Sequence, residues 1–409
     1  MKILFIHQNF PGQFKFLAPA LSNQGHEVVA LTMSSTNINA KDIKVFNYKA
    51  SRGSSENIHP WIADLEAKTI RAEGCFRAAY KLKKEGFNPD IVIAHSGWGE
   101  SLFIKKVWPN TRLGIYSEFY YNNDNDVGFD PEFPTSDYTE DCRLWLKNIN
   151  NILHFDIADS GLSPTKWQAS TFPKPFRDRI TVIHDGIDTL RIKPNSSISI
   201  DVGSIKLTKS DEIITFVNRN LEPYRGYHTF MRSLPGLLKK RPNAHVFIVG
   251  GDKVSYGSAP PNPNSSWKEI YIKEIRPLVS DLDWSRIHFL GILPYSQFIP
   301  LLQLSTVHVY LTYPFILSWS LLEAMSAGCS IVASNTKPLL EAIKHEKTGL
   351  LVDFFDSIEL ENNICRLLEN KNLRDKLSHN ARLYAIENYD VKNVCLPRQL
   401  QWVQELYSK

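Results

Sequence analysis

Short apolar runs alternate with longer amphipathic stretches along the first half of the chain. Residues 3–6, 27–32, 91–94, 113–116, 157–158 and 180–183 read as strands, and residues 13–24 and 65–84 as helices. Strands that are apolar without interruption are buried on both faces, which is what crossover helices impose on a parallel sheet. The first half therefore predicts a Rossmann-like, doubly wound domain.

Between residues 193 and 210 the periodicity fades and Pro, Asn, Ser and Gly accumulate, the pattern of a connection or an irregular hairpin. A second alternating series follows, with strands at 213–217, 244–249, 287–289, 307–311, 330–333 and 349–352 and helices at 227–239, 267–282 and 318–326. It repeats the logic of the first half without repeating its sequence. An α/β protein with two doubly wound domains is expected, one over residues 1–192 and one over 193–385. Residues 360–409 read as helical with a break at Tyr389 and Asp390, and 386–409 is expected to be a last helix that packs back on the first domain.

Composition changes this picture only at its margins. A chain of 409 residues, 43% hydrophobic and 22% charged, has the balance of a folded protein and more length than one ordinary core takes. The net charge of +4 is too small for a nucleic-acid footprint without clustered Lys and Arg, so no nucleic-acid partner is expected, while anionic small molecules stay open. Five cysteines (Cys75, Cys142, Cys329, Cys365 and Cys395) are scattered without CxxC or metal-type spacing, so they read as reduced cytoplasmic thiols and no metal site is expected. The apolar run before His7 is too short for a signal-peptide core, and no segment reaches the roughly 18 apolar residues of a spanning helix. The expected location is cytoplasmic, with any membrane contact peripheral at the inner face.

Candidate chemistry gathers where strands give way to loops. The stretch Phe10, Pro11, Gly12, Gln13, Phe14 follows the first strand and opens a helix, so Gly12 is a candidate for close approach to a phosphate or sugar, or a turn residue only. The stretch lacks GxGxxG, which argues against nicotinamide or flavin binding. His95 directly follows a buried strand, where open sheets place ligands, or else is a hydrogen-bonded core histidine; Glu118 is a weaker candidate on the same ground. In the second half, Arg219 and Arg225 flank the end of a strand, and two guanidinium forks can hold a diphosphate as its charge grows. Ser318 opens a helix whose N-terminus suits an anion, and Glu323 lies inside that otherwise apolar helix, where a carboxylate needs a partner such as a ribose diol.

Arg219, Arg225-Gly226, Gly250-Gly251, Phe289-Leu290-Gly291 and the run from Leu322 to Gly328, in that order, resemble the family 4 glycosyltransferases. The stretch from Ile183 to Asp188 resembles the family's usual interdomain stretch. The resemblance implies the GT-B fold, two Rossmann-like domains facing each other across a cleft, the first on the acceptor side and the second holding the donor. It implies retaining transfer of a hexose or related sugar from a nucleotide-diphosphate sugar to a hydroxyl acceptor, metal-independent and without a cofactor. Arg219 and Arg225 would hold the diphosphate, Glu323 the ribose, Gly291, Ile292 and Leu293 the nucleobase, and His95 would sit near the transferred sugar. The family commonly carries a second glutamate eight residues before the first-named one, and here that position is Phe315. A sugar-nucleotide epimerase of the same fold and an inactive sugar-nucleotide-binding partner are the rival readings. A glycan or lipid-linked acceptor in polysaccharide or glycolipid synthesis is expected. So is contact with an anionic membrane surface, through Arg71, Arg77, Lys81, Lys83 and Lys84 on one predicted helix with Phe10, Phe14 and Phe16 nearby.

Overall fold

In a computed structural model, which describes residues 1–34, 42–122, 128–134, 139–203 and 205–409, the apolar runs of the first half become the strands of one sheet. β1 (Lys2–Ile6), β2 (Glu27–Thr32), β3 (Ile43–Asn47), β4 (Ile91–His95), β5 (Arg112–Tyr116), β6 (Ser160–Ser163) and β7 (Ile180–Val182) lie in the order β3-β2-β1-β4-β5-β6-β7. Every pairing is parallel. Alternate residues feed two cores: Leu4, Ile6, Val29, Val92, Ala94 and Leu113 on one face, and Ile3, Phe5, Val28, Ala30, Ile91 and Ile93 on the other. That two-sided burial is why these strands read as unbroken apolar runs.

Some elements depart from the pattern for identifiable reasons. Residues 13–24 divide into a 3-10 turn, Gly12–Phe14, and a helix, Leu17–Asn23, whose first turn holds Pro19, a residue with no N–H to give to a preceding turn. Residues 157–158 are not a strand. Ile157 closes the helix Ile149–Ile157, and the strand is the small, polar but buried Ser160–Ser163. β3 carries exposed Val45 and Phe46 at the sheet edge, and no unbroken apolar run announces it.

The second half builds a sheet of six parallel strands, β10 (Ile213–Asn220), β11 (His245–Gly251), β12 (Ile287–Gly291), β13 (Val307–Tyr310), β14 (Ser330–Ser334) and β15 (Leu350–Val352). Their order is β12-β11-β10-β13-β14-β15. Ahead of it, inside the polar stretch 193–210, β8 (Ser199–Val202) and β9 (Ile205–Thr208) form an antiparallel hairpin. The helix expected over 267–282 is two, Trp267–Ile275 and Asp281–Trp284, separated at Pro277.

The chain divides into two compact units, Met1–Gly186 with Val391–Lys409, and Ile187–Asp390. The expected boundary after residue 192 thus moves to Gly186, and the one after 385 moves to Asp390. Local bonding explains both shifts. Ile187 N–H donates to Tyr389 O at 2.7 Å, the Thr189 hydroxyl bonds the Asp390 carboxylate, and Ile192 is buried in the second core. In the first unit the last helix, Leu396–Ser408, lays Trp402 on the sheet where Gly114 leaves room: a Cβ there would sit 2.5 Å from the Trp402 ring. Trp402 Nε1 also donates to Ser160 Oγ at 3.1 Å.

Among the described residues no helix is long and apolar enough to cross a membrane. Phe10 and Phe14, expected beside a membrane surface, are core residues at 0% and 2% exposure. On the helix Ala63–Lys84, Arg71 donates to Trp98 O at 2.9 Å, Lys83 to Val107 O at 2.6 Å, and Arg77 pairs with Glu73 at 2.6 Å. Those engagements leave a smaller free basic face than the sequence pattern suggests.

Candidate functional site

Both sheets reverse their strand order once, between β1 and β4 and between β10 and β13. At such a switch point the connections leave in opposite directions and open a crevice beyond the carboxyl ends of the strands. The candidate residues fall at these two places.

In the first unit His95 ends β4, buried at 1% exposure, stacked on Trp98 (4.2 Å between centroids) and Tyr116 (5.2 Å), with the His7 ring edge-on at 5.3 Å. Hydrogen bonds assign the tautomers. His95 Nδ1 accepts Gly97 N–H at 3.1 Å, and its Nε2 stands 3.7 Å from Glu118 Oε2. His7 Nδ1 accepts Asn9 N–H at 3.0 Å, so its Nε2–H serves Gln13 Oε1 at 2.8 Å, and Gln13 Nε2 donates to Glu118 Oε1 at 3.2 Å. Burial, with His95 adding to it, pushes His7 down to about 3, so it stays neutral. Burial acts to raise Glu118, but His95, His7 and Gln13 outweigh it and hold the carboxyl below its ordinary value. The cluster presents a partly exposed carboxylate that accepts from Gln13 and faces His95, an arrangement that can bind a hydroxyl. Gly12 adopts φ +47°, and a Cβ there would lie 2.2 Å from the His7 imidazole. Its glycine is therefore explained by packing on His7.

In the second unit a cavity of about 360 Å³ opens at the ends of β10 and β11, with Arg219, Arg225, Tyr256, Ile292, Leu293 and Ser318 in its wall. Arg219 is exposed, whereas Arg225 is 4% exposed and held from behind. Its Nη1 donates to Thr312 Oγ1 at 2.7 Å, Ile316 O at 3.1 Å and the Tyr310 hydroxyl at 3.3 Å, from the end of β13 and the segment after it. Ser318 caps the helix Trp319–Ala327 by accepting Ser320 N–H at 3.3 Å, and no acidic side chain occupies the first turn. Two guanidinium groups and a helix N-terminus thus converge on one cavity, an arrangement whose charge and dipole suit an anion.

Glu323 lies one turn further in, 4% exposed, its Oε1 accepting the Tyr295 hydroxyl at 2.7 Å. Burial and the Glu323 carboxylate together push the Tyr295 hydroxyl well above its usual range. Glu323 is not among the cavity-lining residues, and neither is Gly291, whose φ of +64° sets the turn that presents Ile292, 76% exposed. Phe315 is 6% exposed in an aromatic cluster, its ring 5.1 Å from both Tyr224 and Tyr256. Among the described residues no three His, Cys, Asp or Glu side chains gather as metal ligands.

Residues 24–192 match the model of the glycosyl transferase family 4 group, and residues 200–384 that of the glycosyl transferases group 1. The chain belongs to the family 4 glycosyltransferases. Among its relatives are an uncharacterized glycosyltransferase of Methanocaldococcus jannaschii, 26% identical over 52% of this chain and 50% of that one, and a D-inositol 3-phosphate glycosyltransferase of Corynebacterium efficiens, 25% identical over 50% and 46%. The chain thus aligns with about half the length of the curated relatives it matches. Solved structures with the same fold include Anabaena HepE in complex with UDP and glucose (16% identity, TM-score 0.67, 99% of this chain and 100% of that one). Sucrose-phosphate synthase of Thermosynechococcus elongatus is another (16%, TM-score 0.73, 100% of both). The fold of this family 4 chain is GT-B.

Sequence reasoning found the arginines, Ser318 and the pair Ile292 and Leu293, which the fold brings to one cavity. It missed Tyr256, Tyr295, His7 and Gln13. Of these only His7, directly after an apolar strand as His95 is, carried a readable signal; Tyr256 lies in a segment without periodicity, while Tyr295 opens a helix and Gln13 sits in a short helical turn, with partners distant in sequence.

Proposed function

We propose that this glycosyltransferase transfers a sugar, a hexose or a relative, from a nucleotide-diphosphate donor to a hydroxyl acceptor with retention of configuration. The observation that carries the reading is the cavity where Arg219, Arg225 and the Ser318 helix end converge. There the two guanidinium forks and the helix dipole take the diphosphate, and their hold strengthens as the sugar–phosphate bond breaks and charge moves onto the leaving oxygens. Ile292 and Leu293, following the Gly291 turn, offer an apolar wall to the base, and Glu323 with Tyr295 takes the ribose hydroxyls. HepE, of the same fold, is solved in complex with UDP-glucose, which supports a uridine donor.

In the first unit the His95–Glu118 cluster is the hydroxyl-binding side. Retention follows if the acceptor attacks the face the diphosphate leaves and the departing phosphate takes the acceptor proton, with the protein supplying orientation and charge. Transfer needs no metal in this scheme, so chelation is expected to leave the rate unchanged. The acceptor is a glycan or a lipid-linked saccharide of polysaccharide or glycolipid synthesis, met at the cytoplasmic side of a membrane. WaaG, with the same fold, is a glycosyltransferase involved in lipopolysaccharide biosynthesis.

A thermal-shift screen of UDP-, GDP- and ADP-sugars identifies the donor, because a ligand of the native state alone raises Tm. NMR of the product's anomeric proton then reads the stereochemistry, and inversion would overturn the mechanism. Phe315 favours one second reading, an inactive donor-binding partner. That reading predicts binding with no transfer to any cell-derived acceptor, and an epimerase would instead alter the nucleotide sugar without acceptor.

A further inference from the structure

We propose that Glu222 is a positioning residue of the donor site, its carboxylate latching the 252–258 segment so that Tyr256 is held against Arg225. The inference rests on the donor reading above and deepens it. Glu222 is 0% exposed, where a carboxylate persists only if its lone pairs are filled. Backbone fills them: Ser255 N–H lies 3.2 Å from each oxygen, and Oε2 also accepts Tyr256 N–H at 3.3 Å and Gly257 N–H at 3.1 Å. Three successive N–H groups turned toward one point form a concave donor nest that an acceptor oxygen stabilises. The segment follows the end of β11 at Gly251 and belongs to no helix or strand, so the carboxylate replaces the ladder bonds it lacks. Asn220 Nδ2 adds a bond to Ser255 Oγ at 2.5 Å.

The consequence is read at Tyr256. Its ring centroid lies 5.0 Å from the Arg225 guanidinium carbon and 5.1 Å from Phe315, and it lines the cavity with both arginines. Glu222 also begins the turn Pro223–Arg225, its carbonyl accepting Arg225 N–H at 3.1 Å. One residue therefore ties the backbone of Arg225 to the segment that delivers the ring beside it. An aromatic face against the guanidinium keeps the fork oriented and partly dry before an anion arrives. Glu222 does not line the cavity, so it acts through Tyr256.

Calorimetric titration of UDP into the 409-residue chain tests this with wild type, Glu222→Gln, Tyr256→Ala and the double variant, together with backbone hydrogen exchange. Gln keeps the size but turns an N–H2 donor toward backbone N–H donors. Glu222→Gln is expected to weaken UDP binding about tenfold, and to speed exchange at residues 255–257 while the β10 and β11 amides stay protected. The double variant is expected to bind no more weakly than Tyr256→Ala, since coupled residues do not add. Wild-type affinity in Glu222→Gln, or losses that multiply in the double variant, overturns the proposal. So does wild-type affinity in Tyr256→Ala, whose test stands even if Glu222→Gln fails to fold. A wild-type chain that binds none of UDP, GDP and ADP overturns the donor reading as well, a different result from binding that the variants leave unchanged.

Discussion

Arg219 and Arg225 look equivalent in the sequence, but the structure gives them different duties. Arg219 is exposed and free to meet a ligand, so Arg219→Ala is expected to leave Tm nearly unchanged and to weaken UDP binding by about 1.5–3 kcal/mol, the value of one charge-assisted contact. Arg225→Ala strips Thr312, Tyr310 and the Ile316 carbonyl of their shared donor, so it is expected to lose about 2–3 kcal/mol of folding stability as well as donor affinity. Urea unfolding and calorimetry on both variants check the contrast, and equal stability losses would contradict it. Glu323→Gln keeps a carbonyl oxygen for the Tyr295 hydroxyl, so its Tm is expected to hold. Its UDP affinity is expected to fall, because an amide no longer accepts two ribose hydroxyl protons with two oxygens. An unchanged titration would remove Glu323 from the donor site.

At the scale of elements, one tight fit lies where a glycine faces a ring. Gly114 in β5 faces Trp402 of the last helix, and a Cβ would approach its ring to 2.5 Å and Leu406 to 2.8 Å. Gly114→Ala is expected to cost about 1–3 kcal/mol through this overpacking, with the loss read in near-UV circular dichroism and urea unfolding. A neutral effect would mean that the helix shifts freely on the sheet. The second sheet shows the converse, a loop ordered by charge. The segment 252–258 offers no periodicity, yet Glu222 sets its course because three N–H groups find one carboxylate. Such order depends on residues more than thirty positions apart, and no local pattern carries it.

For the whole molecule, buried histidines bear on stability against pH. Burial lowers His7, His184 and His308 from the usual 6.5 to about 3, and His154 to about 4. The unfolded chain binds these protons from pH 6.5 downward while the native chain does not, so acid favours unfolding. Each group contributes stability in full above pH 6.5 and loses it toward its folded value, at up to about 1.4 kcal/mol per pH unit. Tm is accordingly expected to fall steadily from pH 6.5 to 4.5, and scanning calorimetry across that range checks it; a flat profile would refute neutral burial.

The sequence by itself determined the doubly wound architecture, because strands buried on both faces must be apolar at every position and their spacing leaves room only for crossover helices. It also marked Arg219, Arg225 and Ser318, which each stand where a strand or loop gives way to the next element and which the fold brings to one cavity. Tertiary structure decided the rest. The strand Ser160–Ser163 is buried although only Leu162 in it is a large apolar residue, and Ser160 finds its partner in Trp402 of the last helix. The boundary fell at Gly186 and Asp390 because two distant backbone segments bond there. Partners such as Tyr295 for Glu323, or Gln13 and His7 for Glu118, come from separate elements, and a chain reads locally whereas a site closes through contacts far apart in sequence.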